Sequence, residues 1–342
     1  MFKRLLALAL CLLLLPLGAR SEAEMKRYNA SFLDLFNTVT IIVGCDDNIA
    51  EFRAVAQRIH DELEEYHQLY DIYNTYEGMN NLKTVNDMAG VAPVEVDGRI
   101  IDLLLFCQEM SEKTGGLTDV TMGSVLSLWH EARVHGIDFP EEAYLPEAAA
   151  LQEAARHTGF DKVIIDKEAS TVYITDPAAS LDVGAIGKGY AVERVCETLP
   201  DGLLLSVGGN VRGTGVNPMT GAFWTAGVQD PEGSQNDYLH VVYVDGVSVV
   251  TSGDYQRYYT VDGVRYGHII DPRTLYPTGL WRAVCILAPD SGLADALSTA
   301  LYLLPVEDGQ KLLDEFGVEA MWIPEEGECV YSPGFARYIK GQ

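Results

Sequence analysis

Apolar residues in the first third of the chain follow the periods of strands and helices. Apolar side chains alternate with others over residues 39–43, which predicts a strand. Over residues 52–70, apolar and aromatic side chains recur every three or four positions with charged ones between them, which predicts an amphipathic helix. The same kind of pattern predicts a second helix over residues 100–112, ended by Gly115-Gly116.

Short strands and turns dominate the prediction for the second half. Asp245-Gly246 and Asp262-Gly263 each stand between two apolar runs, and such pairs predict tight hairpins. Asp290 or Ser291 then caps a predicted helix whose leucines recur at helical spacing and face the core. Strands and helices mixed in this way predict an α+β fold, with a mixed, largely antiparallel sheet and packed helices.

The N-terminus has the layout of a secretory signal. Lys3 and Arg4 precede an apolar run over residues 5–17, and small and polar residues follow. The run is shorter than the ~20 residues that a membrane-spanning helix needs. Export is therefore expected, to the periplasm or the outer face of the cytoplasmic membrane.

This layout divides the chain into a signal peptide with a short leader, residues 1–24, and a single domain over residues 25–342. Cys11 lies inside the apolar run and leaves a lipid anchor open as an alternative. Leu10 precedes it, where a lipoprotein signal has a small residue, and this disfavours the anchor.

Composition and charge narrow the classes of partner. The 342 residues are 48% hydrophobic, which supports a sizeable core and excludes a disordered chain. The 24 Lys and Arg stand against 50 Asp and Glu, a net charge of −26. Such a chain repels nucleic acid, so no nucleic-acid partner is expected, and it would repel a diphosphate unless positive charge is brought in.

The sequence encodes neither a disulfide framework nor a zinc cluster. His130 and His135 are five residues apart, whereas the zinc-protease helix needs four. The cysteines that follow the apolar run are odd in number, widely spaced and without a C-x-x-C pair. They are Cys45, Cys107, Cys196, Cys285 and Cys329.

A glycine-rich segment over residues 181–190 combines a carboxylate, three glycines and a lysine. Because glycine adds no side-chain bulk, such a backbone can approach a ligand closely. Lys188 is a candidate for meeting a phosphate or a ring carbonyl. Taken alone, the segment is equally typical of a turn before a helix.

His268 ends the second strand of the hairpin predicted at Asp262-Gly263, and Asp271 and Arg273 follow it. The unperturbed pKa of histidine lies near operating pH, so a histidine held by backbone near a carboxylate suits general-base chemistry. An isolated histidine at this place would instead be an ordinary surface residue.

Asp295 and Thr299 are four residues apart and share one face of the predicted helix, opposite its leucines. A carboxylate and a hydroxyl are hard oxygen ligands, which favour Mg²⁺ over zinc or copper. By itself the pair is also typical of an exposed helix surface.

Taken as a set, four strings resemble the ApbE family of FAD:protein FMN transferases. The strings are D-V-G-A-I-G-K-G-Y-A, S-V-G-G-N-V-R-G-T-G, H-I-I-D-P-R-T and A-D-A-L-S-T-A-L, in the family's order. Residues 114–121 and Leu128-Trp129 add to the resemblance, which runs from about Leu35 to near Leu304.

The resemblance implies a T-fold-like α+β domain that binds FAD in a cleft and uses Mg²⁺ to split its pyrophosphate. FMN passes as a phosphoester to a Thr or Ser hydroxyl of another exported protein, and AMP leaves. The family's acceptors carry a Ser/Thr-Gly-x-Ser/Thr run. The closest run here begins at Thr220 and has Phe223 in place of the last hydroxyl, so the chain is not expected to modify itself.

Carried over by position, the resemblance implies a metal held by Asp295, Thr299 and the backbone carbonyl of Ala185. His268 is implied to be the base that takes the proton of the acceptor hydroxyl. The residues implied to contact FAD are Phe36, Tyr76, Leu117, Thr118, Asp119, Asp182, Lys188 and Ile270.

Several segments depart from the family pattern without removing a metal ligand or the histidine, among them Phe36-Asn37-Thr38 and Asn74-Thr75-Tyr76. Leu275 stands where the family commonly has Gly, so the turn after Thr274 is expected to use another conformation. Asn210 stands where Asp is usual. Two alternative functions stay open: hydrolysis of FAD to FMN and AMP, and an exported protein that binds FAD without chemistry.

Overall fold

The computed structural model describes residues 24–234, 237–255 and 257–341. The α-helices in these ranges are α1 Ile49–Tyr70, α2 Leu82–Asp87, α3 Gly98–Lys113, α4 Gly123–Asp138, α5 Ala148–Ala154, α6 Gly187–Cys196, α7 Ser291–Tyr302 and α8 Val306–Phe316. Short 3-10 helices cover Pro140–Glu142, Ala155–His157, Phe160–Lys162 and Phe335–Tyr338.

The strands in the same ranges are β1 Lys26–Phe32, β2 Thr40–Asp46, β3 Val94–Glu95, β4 Val163–Asp166, β5 Thr171–Ile174, β6 Leu203–Val207, β7 Asn210–Thr214, β8 Trp224–Gln229, β9 Tyr238–Val244, β10 Ser248–Gly253, β11 Tyr258–Val261, β12 Val264–Gly267, β13 Ala283–Ala288, β14 Glu319–Ile323 and β15 Val330–Tyr331.

An eight-stranded antiparallel sheet, in the order β1-β2-β6-β7-β10-β13-β14-β15, forms the centre of the molecule. Every residue of β13 is buried. Its Val284 and Ile286 pack into a core shared with α1, α3, α6 and α7. Cys285 and Leu287 pack into a second core shared with the two-stranded β8–β9 sheet. Both faces are covered, which explains why β13 is apolar at every position.

The α+β class, with a largely antiparallel sheet and packed helices, is confirmed. The strand predicted over residues 39–43 is β2, and the helices predicted over residues 52–70 and 100–112 are α1 and α3. The Asp262-Gly263 hairpin joins β11 to β12, with Val261 opposite Val264. Asp290 caps α7, as its side chain accepts a hydrogen bond from the Leu293 N–H at 2.8 Å.

The hairpin predicted at Asp245-Gly246 is wrong. β9 pairs with β8, whereas β10 pairs with β7 and β13 in the large sheet. The Asp-Gly turn therefore carries the chain from one sheet to the other, and Gly246 has the positive φ that such a turn requires, 63°. Turn chemistry is local, while the choice of pairing partner depends on the strands available elsewhere.

The cysteine prediction can be compared with the structure, whereas the signal-peptide prediction cannot. The five cysteines named above are free thiols, and Cys107, Cys196 and Cys285 are buried. The signal-peptide prediction and Cys11 fall on residues 1–23, outside the described ranges. Among the described helices, none has the length and apolar content that crossing a membrane would need.

Candidate functional site

The close crossing of α6 and α7 forms the centre of the site. A Cβ added to Gly189 would overlap the Ser291 carbonyl oxygen and lie 2.6 Å from the Asp295 Cβ. A Cβ on Gly292 would lie 3.1 Å from the Tyr190 Cα. Only glycine lets the two helices approach this closely. At Gly189, then, the glycine-rich segment serves helix packing.

Asp295 is buried at this crossing, with a side chain 5% exposed. Its Oδ2 accepts a hydrogen bond from the Gly189 N–H at 2.8 Å and lies 3.5 Å from the Lys188 Nζ. Lys188 also donates to the Gly184 carbonyl at 3.3 Å. An unpaired buried carboxylate is strongly destabilising, and the N–H and the ammonium are the partners that stabilise Asp295 here. The alternative of an exposed Asp–Thr pair on a helix surface is excluded for Asp295.

Three oxygens near this crossing are left without a hydrogen bond inside the described ranges. They are Oδ1 of Asp295, the hydroxyl of Thr299 one turn further along α7, and the carbonyl of Ala185. The Ala185 carbonyl would normally accept from the Gly189 N–H, but that N–H donates to Asp295 instead. A carboxylate, a hydroxyl and a carbonyl are the donor set that Mg²⁺ prefers, so the residues present fit the implied ion.

Asp182 begins the glycine-rich segment, where its Oδ1 accepts a hydrogen bond from the Gly184 N–H at 2.9 Å. Burial raises the pKa of Asp182. The Gly184 N–H and the basic groups of His130, Arg133 and Lys188 act in the opposite direction. The Asp182 side chain therefore lies in a cluster of basic groups that includes Lys188.

The loop that follows α3, residues 114–122, contacts α7 beside Asp295. The Thr118 hydroxyl donates to the Ala296 carbonyl at 2.7 Å, next to Asp295 in α7. Asp119 accepts from both the N–H and the hydroxyl of Thr121, at 2.8 and 2.7 Å. Leu117 is partly buried against the main core. The Thr118 hydroxyl is thus committed to holding α7.

His268 follows β12, and its Nδ1 lies 3.2 Å from the Arg257 carbonyl oxygen. A carbonyl only accepts hydrogen bonds, so Nδ1 carries the proton and Nε2 of the neutral ring has a free lone pair. Burial lowers the pKa of His268 to about 4, and the charges of Arg257, Arg133 and Lys188 add to this effect. At neutral pH the imidazole is therefore neutral and able to take a proton.

Phe36 and Tyr76 lie along α1 and the segment that follows it. Phe36 has a φ of 51°, its N–H donates to His67 Nδ1 at 3.3 Å, and its ring meets the His67 ring edge-on at 5.3 Å. The Tyr76 hydroxyl donates to Asp71 Oδ2 at 2.8 Å. Among the described residues, neither Phe36 nor Tyr76 forms a hydrogen bond with Asp295 or His268.

Ile270 is buried in the same hydrophobic core as Trp129 and forms a β-bridge with Pro277. The turn between Ile270 and Pro277 contains Leu275. Because Leu275 replaces a family glycine, the turn was expected to avoid the backbone conformation that glycine favours. That expectation is wrong: Leu275 has a φ of 65°, in the left-handed region that glycine favours. Its N–H bonds the Asp271 carbonyl at 2.7 Å, and its own carbonyl accepts from the Trp129 indole at 2.9 Å. These two bonds hold the strained residue in place.

Sequence reasoning missed several groups around His268. Arg133 and His130 on α4 contact each other, with 3.1 Å between Nη2 and Nδ1, and the His130 ring lies 5.4 Å from the Tyr73 ring. Arg257 supplies the carbonyl that orients His268. None belongs to a motif, and His130 was considered only as a zinc ligand. Their proximity depends on α4 packing against β11, which no local pattern reveals.

Comparison with known proteins identifies the family. The model of the ApbE family matches residues 35–322. The chain belongs to the ApbE family. A FAD:protein FMN transferase of Treponema pallidum is 32% identical over 329 residues, which cover 89% of each chain. A FAD:protein FMN transferase of Escherichia coli is 27% identical over 83% of this chain and 81% of its own.

Solved structures give the same family. The ApbE protein from Thermotoga maritima is 31% identical, with a TM-score of 0.79 over 92% of this chain and 99% of its own. The flavin transferase ApbE from Vibrio cholerae shares the fold, with a TM-score of 0.76 at 24% identity over 92% of this chain and 100% of its own. The family resemblance predicted from the four strings is therefore confirmed.

Proposed function

We propose that this ApbE-family chain is an exported FAD:protein FMN transferase. It passes FMN from FAD to a Thr or Ser hydroxyl of an exported acceptor protein that carries a Ser/Thr-Gly-x-Ser/Thr run, and it releases AMP. The names of its relatives support a flavin transferase. The observation that carries the proposal is that Lys188 lies against a buried carboxylate, Asp295, while its charge also acts on the neutral imidazole of His268.

In the proposed reaction, His268 Nε2 takes the proton of the acceptor hydroxyl. The hydroxyl oxygen forms a bond to the phosphorus on the FMN side of the diphosphate, and the bond from that phosphorus to the bridging oxygen breaks. AMP leaves with the bridging oxygen and its electron pair. The Arg257 carbonyl fixes the tautomer that makes Nε2 the accepting atom.

Mg²⁺ at Asp295, Thr299 and the Ala185 carbonyl would neutralise the charge that develops on the phosphates and on the leaving AMP. Asp295 is held for this role by the Gly189 N–H. Lys188, at 3.5 Å from Asp295, adds positive charge beside the same oxygens. The remaining residues proposed to contact FAD are those named from the family positions: Phe36, Tyr76, Leu117, Thr118, Asp119, Asp182 and Ile270.

The test is incubation of the purified chain with FAD, Mg²⁺ and an acceptor domain, followed by in-gel flavin fluorescence and analysis of the released nucleotides. The wild type should label the acceptor, and Asp295→Ala and His268→Ala should not. Matched controls are Asp314→Ala, on the exposed side of α8, and His240→Ala, on β9 in the layer beyond the large sheet.

The other functions give different products. FMN and AMP without labelled acceptor would indicate hydrolysis, and intact bound FAD would indicate a carrier. Full labelling by both Asp295→Ala and His268→Ala would refute the site assignment.

A further inference from the structure

Two arginines beside His268 lack the carboxylate partners that this acidic chain supplies elsewhere. Five half-buried arginines of the described ranges form ion pairs: Arg99, Arg194, Arg212, Arg265 and Arg282. Arg133 and Arg257 form none with any described residue. Arg133 is half-buried and Arg257 is exposed. In a chain with a net charge of −26, the unpaired state of the half-buried Arg133 is unexpected.

Their positions place both charges at the proposed reaction centre. Arg133 is half-buried on α4, where its Nη2 lies 3.1 Å from His130 Nδ1. Arg257 directly precedes β11, and its carbonyl oxygen lies 3.2 Å from His268 Nδ1. The charges of both arginines act on His268, and that of Arg133 also acts on Asp182.

The two guanidinium groups repel each other. Burial lowers the pKa of Arg133, and the charge of Arg257 lowers it further. Lys188, which lies against Asp295, is a third positive charge acting on His268. Asp182 is one carboxylate among these charges, and Lys188 also lies against Asp295. The three positive charges still exceed these two carboxylates by one, and a bound anion would neutralise the excess.

We propose that Arg133 and Arg257 bind the diphosphate of FAD beside His268. This inference rests on the proposed function, because it identifies the residues that hold the substrate of that same site. A guanidinium group donates two parallel hydrogen bonds to phosphate oxygens, so the pair both neutralises and orients the diphosphate.

The first test measures FAD affinity by quenching of flavin fluorescence at fixed Mg²⁺ for the full chain and its variants. Arg133→Gln and Arg257→Gln should each weaken FAD binding by about tenfold, the loss expected for one charge-assisted contact to phosphate. Arg133→Lys and Arg257→Lys should restore part of the affinity. The matched control is Arg156→Gln, an exposed arginine paired with Glu153, and it should leave affinity unchanged.

The second test separates binding from a structural role by thermal unfolding. Removing one of two repelling charges should leave the unfolding temperature of the FAD-free protein unchanged or higher. The rise in unfolding temperature on adding FAD should shrink in both Gln variants. Inorganic pyrophosphate should compete with FAD in the wild type and compete less well in the variants.

Several results would overturn this inference. Unchanged FAD affinity in both Gln variants would do so, as would a lowered unfolding temperature of the FAD-free variants that accounts for the lost binding. Unchanged FAD affinity with a raised KM for the acceptor would assign the arginines to acidic groups of the acceptor instead. A wild type that binds FAD but labels no acceptor would refute the proposed function and leave the binding result standing.

Discussion

Two histidines of this molecule lie in opposite electrostatic surroundings. His60 on α1 has Asp34 3.0 Å from its Nε2 and Asp61 3.2 Å from its Nδ1. Burial acts to lower the pKa of His60, but the hydrogen bonds to these carboxylates outweigh it and raise the pKa. His268 bonds only to a backbone carbonyl, and burial together with nearby basic groups lowers its pKa to about 4.

The contrast shows how little the net charge says about a particular site. The surroundings of His60 follow the acidic composition of the chain, and both of its ring nitrogens lie within hydrogen-bond distance of carboxylates. Around His268 the same chain gathers Arg133, Arg257 and Lys188. An acidic protein can thus contain a local site that is suited to a diphosphate.

The largest expected difference between the two histidines is in catalysis. His268→Gln should lower the kcat of FMN transfer by about a hundredfold or more, since it removes a general base. His60→Gln, the matched control, should leave kcat within about twofold, because the residue only bonds side chains of α1 and the preceding loop. Equal losses in the two variants would contradict the roles assigned here.

The next difference is in the pH dependence of transfer. His268 has a pKa of about 4, so the rate should stay high as the pH falls through the usual titration range of histidine and decline only near that value. Arg257→Gln removes a positive charge that lowers this pKa, so the decline should move to higher pH. Rate measurements from pH 4 to 8 test both statements. A wild-type decline centred near the ordinary value of about 6.5 would refute a depressed pKa.

The smallest expected effect is on stability. The pKa of His60 is raised on folding, so its stabilising contribution is present below the unfolded value of about 6.5 and is lost as pH rises through the folded pKa. His60→Gln should therefore lower the free energy of unfolding by about 1 kcal/mol at pH 6, since both carboxylates are largely exposed. The difference should shrink at pH 9. Urea unfolding at the two pH values measures it, and a loss that grows with pH would have the wrong sign.

The elements that sequence could predict are those set by local rules. The periodicity of α1 and α3, the cap at Asp290 and the Asp262-Gly263 turn each depend on a few neighbouring residues, and each is confirmed. The turn at Asp245-Gly246 obeys the same chemistry, yet its flanking strands pair elsewhere. Strand pairing is decided by the whole sheet, which a local pattern does not contain.

The residues of the candidate site also fall into those that local sequence predicts and those that only tertiary packing brings together. The strings around Asp182, His268 and Asp295 could be recognised because each is continuous in sequence. Arg133 and Arg257 belong to no string, and they meet only because α4 packs against β11. The glycines of residues 181–190 suggested either close approach to a ligand or a turn before a helix, and the structure shows that Gly189 allows the close approach of a second helix. Tertiary packing thus brings Arg133 and Arg257 to the site and gives Gly189 a role in helix packing.

The central claim is that a cation held at Asp295 lets this acidic chain bind a diphosphate. The most direct measurement is FAD affinity, by quenching of flavin fluorescence, with Mg²⁺ and with EDTA, for the wild type, Asp295→Asn and the exposed control Asp308→Asn. The wild type and the control should bind FAD about tenfold or more tightly when Mg²⁺ is present, and Asp295→Asn should lose this dependence. Equal affinity of the wild type with Mg²⁺ and with EDTA would contradict the claim.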